Sequence, residues 1–204
     1  MKIKNAVDVF GDNMPKVVGI VADPHQGKSN TIYFLIEEIQ RRWSTTIFTY
    51  GLRGETRNTQ RVSSVEQLET LRNSVIFIDE FYTLFEMDNR KKTPLIEKTL
   101  RRIFWSNNML VLCGLPQNFN KFISGKLSHI FFKQCTLVDF INGSRVKNVA
   151  LSYREDELGS AMLCIPKDKA LVYEAESLTY SMVHIPYLKQ QDMKLLNPPI
   201  MEKR

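Results

Sequence analysis

The chain is poor in the residues that build metal sites and disulfides. Among its 204 residues are three cysteines and three histidines. Cys113, Cys135 and Cys164 form no CxxC pair and lie in hydrophobic runs, which favours three buried, reduced thiols. The histidines are equally scattered, with no HxxxH or HExxH spacing. The sequence therefore argues against a zinc site and against a disulfide framework.

Long hydrophobic runs are also missing. No apolar run reaches the ~18 residues needed to span a bilayer, and the opening MKIKNAVDVFGDN is too polar for a secretory signal. We therefore expect no transmembrane segment, and a soluble protein that is intracellular or packaged without a signal.

The remaining composition is ordinary for a globular protein, with 43% hydrophobic and 25% charged residues. The length suits one α/β domain. Lysine and arginine exceed the acidic residues by 28 − 22 = 6. This basic excess fits a polyanionic partner without requiring one.

Short β-branched runs alternate with helical stretches through the first two thirds of the chain, which predicts an α/β fold with a mainly parallel sheet. One helix is expected after the first strand, ending at about residue 43. Another is expected to begin at a capping box formed by Ser64 and Gln67, and a further one to run from Pro94 to about Asn108. The predicted strands are KVVGIVA (16–22), STTIFTY (44–50), SVIFIDE (74–80), MLVLCGL (109–115) and SHIFFKQC (128–135).

The last third has a different pattern. Asn142-Gly143-Ser144 between two apolar runs predicts one β-hairpin, and PKDK (166–169) between SAMLCI and ALVYEAE predicts another. We expect a single domain over 1–204, with a core at about 16–135, a hairpin-rich part at 136–189 and a loosely held tail at 190–204.

The stretch VADPHQGKSN (21–30) is typical of a phosphate-binding loop, G-x-x-x-x-G-K-[ST], except that Ala22 replaces the first glycine. It links a buried strand to a helix N-terminus, where free N–H groups and the helix dipole hold phosphate oxygens. Gly27 lets the backbone approach the phosphates, Lys28 supplies charge, and the Ser29 hydroxyl can bind Mg²⁺. The predicted nucleotide-binding residues are Asp23, Pro24, His25, Gln26, Gly27, Lys28, Ser29 and Asn30.

VIFIDE is typical of a Walker B strand. Asp79 is placed to bind Mg²⁺ through water, and Glu80 to act as the general base that activates the attacking water. The adjacent acidic pair favours hydrolysis over simple nucleotide binding. After the next apolar strand, LVLCGLPQN, Gln117 is predicted to reach the γ-phosphate, with Asn118 as the second candidate.

This order of motifs resembles the FtsK–HerA superfamily of P-loop, DNA-pumping ATPases, and most of all its short viral members, the genome-packaging ATPases of turreted icosahedral archaeal viruses. The resemblance covers about residues 16–135. It implies that Lys28 and Ser29 hold Mg-ATP, that Asp79 and Glu80 form the Walker B pair, and that Gln117 is the glutamine after the fourth strand.

The resemblance also implies a ring of identical subunits, double-stranded DNA as partner, and capsid or membrane-vertex proteins as docking partners. The protein would then be found in the virion or the host cytoplasm. An arginine finger acting on the neighbouring subunit would precede the fourth strand, where Arg102 is the first candidate and Arg101 the second.

Trp105 lies on the face of the same helix that is opposite to Ile96, Leu100 and Ile103. It is covered by a loop or by the C-terminal part of the chain, or else it belongs to a subunit interface.

Basic loops are the candidates for DNA contact. The first choice is Arg90, Lys91 and Lys92, the second is Arg53, Arg57 and Arg61, and the third is Lys121 with Lys126. On a translocase they would grip the DNA backbone without sequence preference.

The leading hypothesis is thus an ATP-hydrolysing translocase of double-stranded DNA, as in viral genome packaging. The alternatives are a morphogenesis or export ATPase of filamentous-phage type, a P-loop small-molecule kinase, and a non-hydrolysing nucleotide switch. The kinase is disfavoured because residues 118–135 contain no arginine for a lid, and Glu80 argues against the switch.

Overall fold

In the computed structural model the described residues are 3–5, 8–10, 16–52, 58–82, 93–155 and 162–186. The helices are α1 (Lys28–Arg42), α2 (Val65–Thr70), α3 (Thr93–Trp105), α4 (Lys121–Ser124) and α5 (Arg145–Glu155). The strands are β1 (Ile3–Asn5), β2 (Val17–Val21), β3 (Ile47–Tyr50), β4 (Thr59–Arg61), β5 (Val75–Ile78), β6 (Met109–Gly114), β7 (His129–Phe132), β8 (Cys135–Thr136), β9 (Met162–Leu163), β10 (Lys169–Glu174) and β11 (Thr179–His184).

Nine of these strands form one sheet in the order β1-β11-β10-β7-β2-β6-β5-β3-β4. The six strands from β7 to β4 are parallel to their neighbours. Strands β10 and β11 add an antiparallel hairpin beside β7. The predicted fold class is confirmed, a mainly parallel α/β core with antiparallel strands added at its C-terminal end.

The sheet is covered on both faces. Helix α1 packs on one face through Ile32, Leu35 and Ile39. The other face is covered by α2, α3, α4 and α5, whose buried residues include Leu68 and Leu100. Burial on both faces explains why β2, β5 and β6 are apolar at nearly every position.

The hairpin predicted at Asn142-Gly143-Ser144 is wrong. Gly143 has the left-handed φ of 70° that the turn signal implies, but the chain then enters helix α5. The Ser144 hydroxyl accepts a hydrogen bond from Lys147 N at 3.2 Å, which caps that helix.

The hairpin predicted around PKDK is also wrong, because the two strands beside this turn do not pair with each other. Strand β9 pairs with β8 in a separate two-stranded sheet, and β10 forms its hairpin with β11. Three strands, β1, β4 and β11, were not predicted. Strand β4 lies in the stretch read as a loop, and β1 pairs in parallel with β11. The predicted tail lies outside the described residues.

Two of the three cysteines are buried, but Cys164 is exposed, so the expectation of three buried thiols is wrong there. Its chain neighbours Leu163 and Ile165 are both buried. In extended chain, successive side chains point to opposite faces, and Cys164 has the outward position. Within the described part of the chain, no helix has both the length and the apolar character that crossing a membrane requires.

Candidate functional site

The carboxyl ends of β2, β5 and β6 open into a cavity of about 630 Å³. Cavities of this size hold small ligands. The phosphate-binding loop and the two acidic residues after β5 come together here because parallel strands end at the same edge of the sheet. The cavity is lined by Pro24, His25, Gly27, Lys28, Ser29, Asn30, Tyr33, Gly51, Asp79, Glu80, Tyr82, Gly114, Leu115 and Lys167.

The loop has the geometry of an anion site. Gly27 is the N-terminal cap of α1, with φ 83°, and no side chain caps the helix. The first N–H groups of α1 therefore have no acceptor within the helix and are available to a ligand. Since a φ of 83° strains any side chain, Gly27 is required at this position.

Ala22 fits the loop without strain. Its φ is not among the positive values found in the described residues, and its side chain is buried. The glycine that the pattern calls for is therefore not required by the backbone here, and the methyl group packs inside the protein.

The Lys28 ammonium group lies inside the loop. Its Nζ donates to the carbonyl of Ala22 at 3.1 Å and to that of Asp23 at 2.8 Å. Carbonyl oxygens are neutral partners, so phosphate oxygens can compete for this cation.

The remaining loop residues differ in whether their side chains line the cavity. Pro24, His25, Ser29 and Asn30 line the cavity, whereas the Asp23 carboxylate accepts hydrogen bonds from the backbone N and hydroxyl of Thr136, at 2.9 and 2.7 Å. The Asp23 side chain thus anchors the loop to β8. Gln26 Oε1 is buried and has no hydrogen-bond partner among the described residues.

Asp79 and Glu80 follow β5 directly and both line the cavity. Asp79 Oδ1 accepts a hydrogen bond from Glu80 N at 3.0 Å. Burial raises the pKa of Asp79, while hydrogen bonds from the Cys113 thiol and from the Glu80 backbone act in the opposite direction. Glu80 is exposed and has a φ of 45°, an unusual conformation for this residue type and one that clusters at functional sites.

Cys113 and Gly51 support Asp79, and sequence reasoning missed both roles. The Cys113 thiol is fully buried on β6. This burial raises the pKa of Cys113 well above the ordinary value, and the charge of the nearby Asp79 carboxylate adds to the increase. A Cβ atom at Gly51 would lie 2.6 Å from the Asp79 carbonyl oxygen. The glycine after β3 therefore lets two backbone segments meet beside the cavity.

Gln117 does not line the cavity wall, and its side chain is exposed. The neighbouring Asn118 has a buried Nδ2 with no hydrogen-bond partner among the described residues. A Cβ atom at Gly114, which does line the cavity, would lie 3.5 Å from that nitrogen.

Arg102 and Arg101 are not among the residues that line the cavity of their own chain. The end of α3 adjoins the start of β5, where Asn73 N donates to Ser106 O at 3.3 Å, so both arginines are near the amino ends of the strands. Arg102 Nη1 donates to Glu69 Oε2 at 2.6 Å, and Arg101 lies over the Phe122 ring at 5.3 Å.

Trp105 is 80% exposed, so no part of the described chain covers it. Leu100 and Ile103 are buried, as the helical pattern predicted, while the Ile96 side chain lies outside the described ones. Trp105 and Arg102 border the same shallow surface depression, together with Glu66, Glu69 and Arg72.

The first-choice basic residues, Arg90, Lys91 and Lys92, lie outside the described residues, as do Arg53 and Arg57. Arg61, Lys121 and Lys126 are described and exposed. Contact of these basic residues with DNA stays a prediction.

Further residues of the site carried no signal in the sequence. Tyr33, Tyr82 and Lys167 line the cavity, and the buried Lys133 lies beside the phosphate loop. Lys167 and the loop line the same cavity although they are more than 130 positions apart in the chain, which no local motif encodes.

No protein-family model and no curated protein matches the chain. Among solved structures, the genome-packaging NTPase B204 from Sulfolobus turreted icosahedral virus 2, in complex with ATP-γ-S, is similar. The identity is 17% and the TM-score 0.59, over 86% of this chain and all of that one.

Two bacterial proteins are also similar. For the N-terminal domain of zonular occludens toxin from Neisseria meningitidis, the identity is 11% and the TM-score 0.54, over 91% of this chain and all of that one. For the cytoplasmic domain of the Type VII secretion ATPase EccC from Thermomonospora curvata, the identity is 11% and the TM-score 0.53, over 88% of this chain and 24% of that one. The resemblance inferred from the motifs is thus confirmed for the fold, and the chain has the fold of FtsK–HerA-type P-loop ATPases.

Proposed function

We propose that the protein is an ATPase that couples ATP hydrolysis to the translocation of double-stranded DNA, as a viral genome-packaging motor. The observation that carries the proposal is the single cavity in which Lys28 and Ser29 of the phosphate loop face Asp79 and Glu80. This set contains the cation, the hydroxyl and the two carboxylates that phosphoryl transfer to water requires.

The residues have distinct roles in this chemistry. The N–H groups that start α1 and the Lys28 ammonium group bind the phosphates. Glu80 accepts the proton of the attacking water, and Gln117 or Asn118, in the turn that follows β6, orients that water. The Ser29 hydroxyl and the Asp79 carboxylate are hard oxygen ligands that fit Mg²⁺, Asp79 through water. When bound, Mg²⁺ neutralises charge on the β- and γ-phosphates.

An arginine in trans completes the proposed site. Arg102 lies toward the amino end of the sheet, whereas the cavity is at the carboxyl end, and this separation favours a role in the site of a neighbouring subunit. The exposed Trp105 lies beside it. A ring of identical subunits, with this surface against the next subunit's cavity, accounts for both features.

DNA as the partner is supported by two further observations. One similar solved structure is described as the DNA-packaging ATPase from Sulfolobus turreted icosahedral virus (14% identity). The chain carries a net charge of +6, which favours binding to a phosphate backbone. Packaging places the protein in the virion or the host cytoplasm, docked to capsid or membrane-vertex proteins.

A second candidate function is export of a protein or a protein–DNA complex. The likeness to a secretion ATPase favours it. The two functions differ in what stimulates ATP hydrolysis.

Hydrolysis is tested by Glu80→Gln. We expect the variant to bind ATP like the wild type but to hydrolyse it at least about 100-fold more slowly, since the general base is lost. The control is Glu176→Gln, which makes the same change on an exposed turn and should leave turnover intact. Near-normal hydrolysis by Glu80→Gln would exclude the proposed general base.

The coupling to DNA is tested by measuring ATPase activity with and without double-stranded DNA, at 50 mM and 200 mM salt, alongside the native mass. We expect stimulation that weakens with salt, as phosphate contacts do, and a mass of several subunits. An ATPase rate that DNA does not change at either salt concentration would exclude the translocase and favour the export ATPase.

A further inference from the structure

Lys133, the residue after β7, is a fully buried lysine beside the phosphate loop. Its Nζ donates to the backbone carbonyls of Lys167 and Lys169, at 2.6 and 2.5 Å. A Cβ atom at Gly27 would lie 3.6 Å from Lys133 Cε and 4.0 Å from Nζ. One buried cation thus bonds to the turn that precedes β10 and lies beside Gly27 of the phosphate loop.

That turn, Pro166–Lys169, forms part of the cavity wall. Lys167 is exposed and lines the cavity together with His25 and Gly27. The turn is closed by the bond from Lys169 N to Pro166 O at 2.9 Å and is joined to the end of β11 by the bond from Ile185 N to Asp168 O at 2.7 Å. Lys133 links the turn to the loop, because its backbone N donates to Val21 O at 2.9 Å while its Nζ bonds to the turn.

The sheet order tells which end of the nucleotide meets the turn. Asp79 and Glu80 follow β5, on one side of β2, whereas Lys133 and the turn lie on the other side, next to β7. Since Glu80 marks the place of the γ-phosphate, a nucleotide bound across the loop has its α-phosphate and ribose toward the turn.

We infer that the Pro166–Lys169 turn is the wall of the nucleotide site at the α-phosphate end, where Lys167 contacts the nucleotide, and that Lys133 is the positioning residue that holds this turn against the loop. The inference rests on the proposed function, because it requires that a nucleotide binds.

The cost of burying a charge supports a specific role for Lys133. Removal from water lowers the pKa of Lys133 from 10.5 to about 8, while the nearby Asp168 acts in the opposite direction. Asp168 is itself 3.9 Å from His184 Nε2. An ammonium group is retained here although an apolar side chain of the same length would avoid that cost.

The test compares Lys133→Met, Lys167→Ala and Lys28→Ala with the wild type, using calorimetry with ATPγS and with AMP, and kcat and KM for ATP. The control is Lys16→Ala, which removes the same charge from an exposed residue at the opposite end of β2. Thermal melts establish whether each variant is folded. Lys167 is on the surface, so its variant keeps the test valid if Lys133→Met does not fold.

We expect Lys133→Met and Lys167→Ala each to lower the binding affinity for ATPγS and for AMP by about tenfold, the loss typical of one charge-assisted hydrogen bond. Both should raise KM more than they lower kcat, because the γ-phosphate end is untouched. Lys28→Ala should lower the affinity for ATPγS more than the affinity for AMP. Lys16→Ala should change neither affinity.

Unchanged affinity of Lys167→Ala for both ligands would overturn the contact. Unchanged affinity of a folded Lys133→Met would overturn the positioning role. If the wild type itself binds neither ligand, the proposed function fails, which is a different result from either of these.

Discussion

At the residue scale, the backbone beside the cavity can pack closely because Gly51 has no side chain. Gly51 has a φ of 75°, and a Cβ atom there would lie 2.6 Å from the Asp79 carbonyl oxygen, which is backbone and cannot move aside. We expect Gly51→Ala to lower the free energy of unfolding by about 3 kcal/mol, from strain and from this contact. Denaturant unfolding measures the change.

Gly143→Ala is the matched control. Gly143 has a similar φ of 70°, but the nearest atoms to an added Cβ belong to the flexible end of the Lys121 side chain, at 3.2 and 3.3 Å. The loss there should be about 1 kcal/mol, the cost of the backbone conformation alone. Equal losses at the two glycines would contradict the role of the Asp79 contact.

The buried Lys133 makes stability depend on pH. Its pKa is about 8 in the folded protein, against 10.5 when exposed. Between these values the unfolded chain binds more protons, so the stability of the wild type rises with pH through this window. We expect the free energy of unfolding of the wild type, relative to Lys133→Met, to increase between pH 8 and 10.5.

Neutral Lys133 keeps two N–H donors for its two carbonyl partners, so its hydrogen bonds persist at high pH. The comparison with Lys133→Met cancels the titration of other groups. A constant difference between the two proteins from pH 7 to 10.5 would mean that burial does not perturb this amine.

That the phosphate loop and the acidic pair after β5 line one cavity could be predicted, because each motif is contiguous and follows a buried strand. Gly51, Cys113 and Lys133 could not, because their roles depend on contacts between different strands. Cys113 illustrates this, since hydrophobicity predicted its burial but not its hydrogen bond to Asp79.

At the scale of single elements, helix α2 depends on its cap. The Ser64 hydroxyl accepts a hydrogen bond from Gln67 N at 3.3 Å, as the capping box predicted, while Gln67 Oε1 accepts one from Ser63 N at 3.0 Å. Ser64→Ala should lower the free energy of unfolding by about 1 kcal/mol, as measured by denaturant unfolding.

Ser63→Ala is the control for this cap, because it keeps the backbone N–H that Gln67 uses and removes only the exposed bond from its own hydroxyl to Gln67 Oε1 at 3.3 Å. Its cost should be well below that of Ser64→Ala. A larger loss for Ser63→Ala would show that the cap is not what stabilises the start of α2.

The error at α5 has a physical explanation. The turn chemistry of Asn142-Gly143 was read correctly, since Gly143 does have a positive φ, but a turn can lead into a helix as well as a strand. Val146, Val149 and Ala150 are buried at the spacing of one helix face. β-Branched residues favour strands only weakly, and this spacing outweighed them.

At the scale of the whole molecule, the central strands β2, β3, β5, β6 and β7 could be predicted from their apolar runs, and β6 lies between β2 and β5 in the sheet. The pairing of the outer strands could not. The two-residue and three-residue strands β1, β4, β8 and β9 are too short to give a periodic signal, and they exist because a neighbouring strand supplies hydrogen bonds.

The proposed assembly predicts complementation between inactive subunits. Arg102→Ala and Glu80→Gln should each be inactive alone, but a mixture should regain ATPase activity. In mixed rings, some sites combine an intact Glu80 from one subunit with an intact Arg102 from the next. Activity measured across mixing ratios should peak at an intermediate ratio.

Arg101→Ala, mixed with Glu80→Gln in the same way, identifies which arginine acts in trans. Absence of recovery at every ratio, for both arginines, would count against a shared site.

Strand β1 pairs with β11, and Ile3 lies opposite Met182, 182 − 3 = 179 positions later. At roughly 5–20 residues per second of synthesis, the ribosome needs on the order of ten to forty seconds to supply that partner. During that time the edge of the growing sheet stays open, a state prone to pairing with other nascent chains. Closely spaced ribosomes on one messenger would therefore favour misassembly, and slow initiation would favour the native sheet.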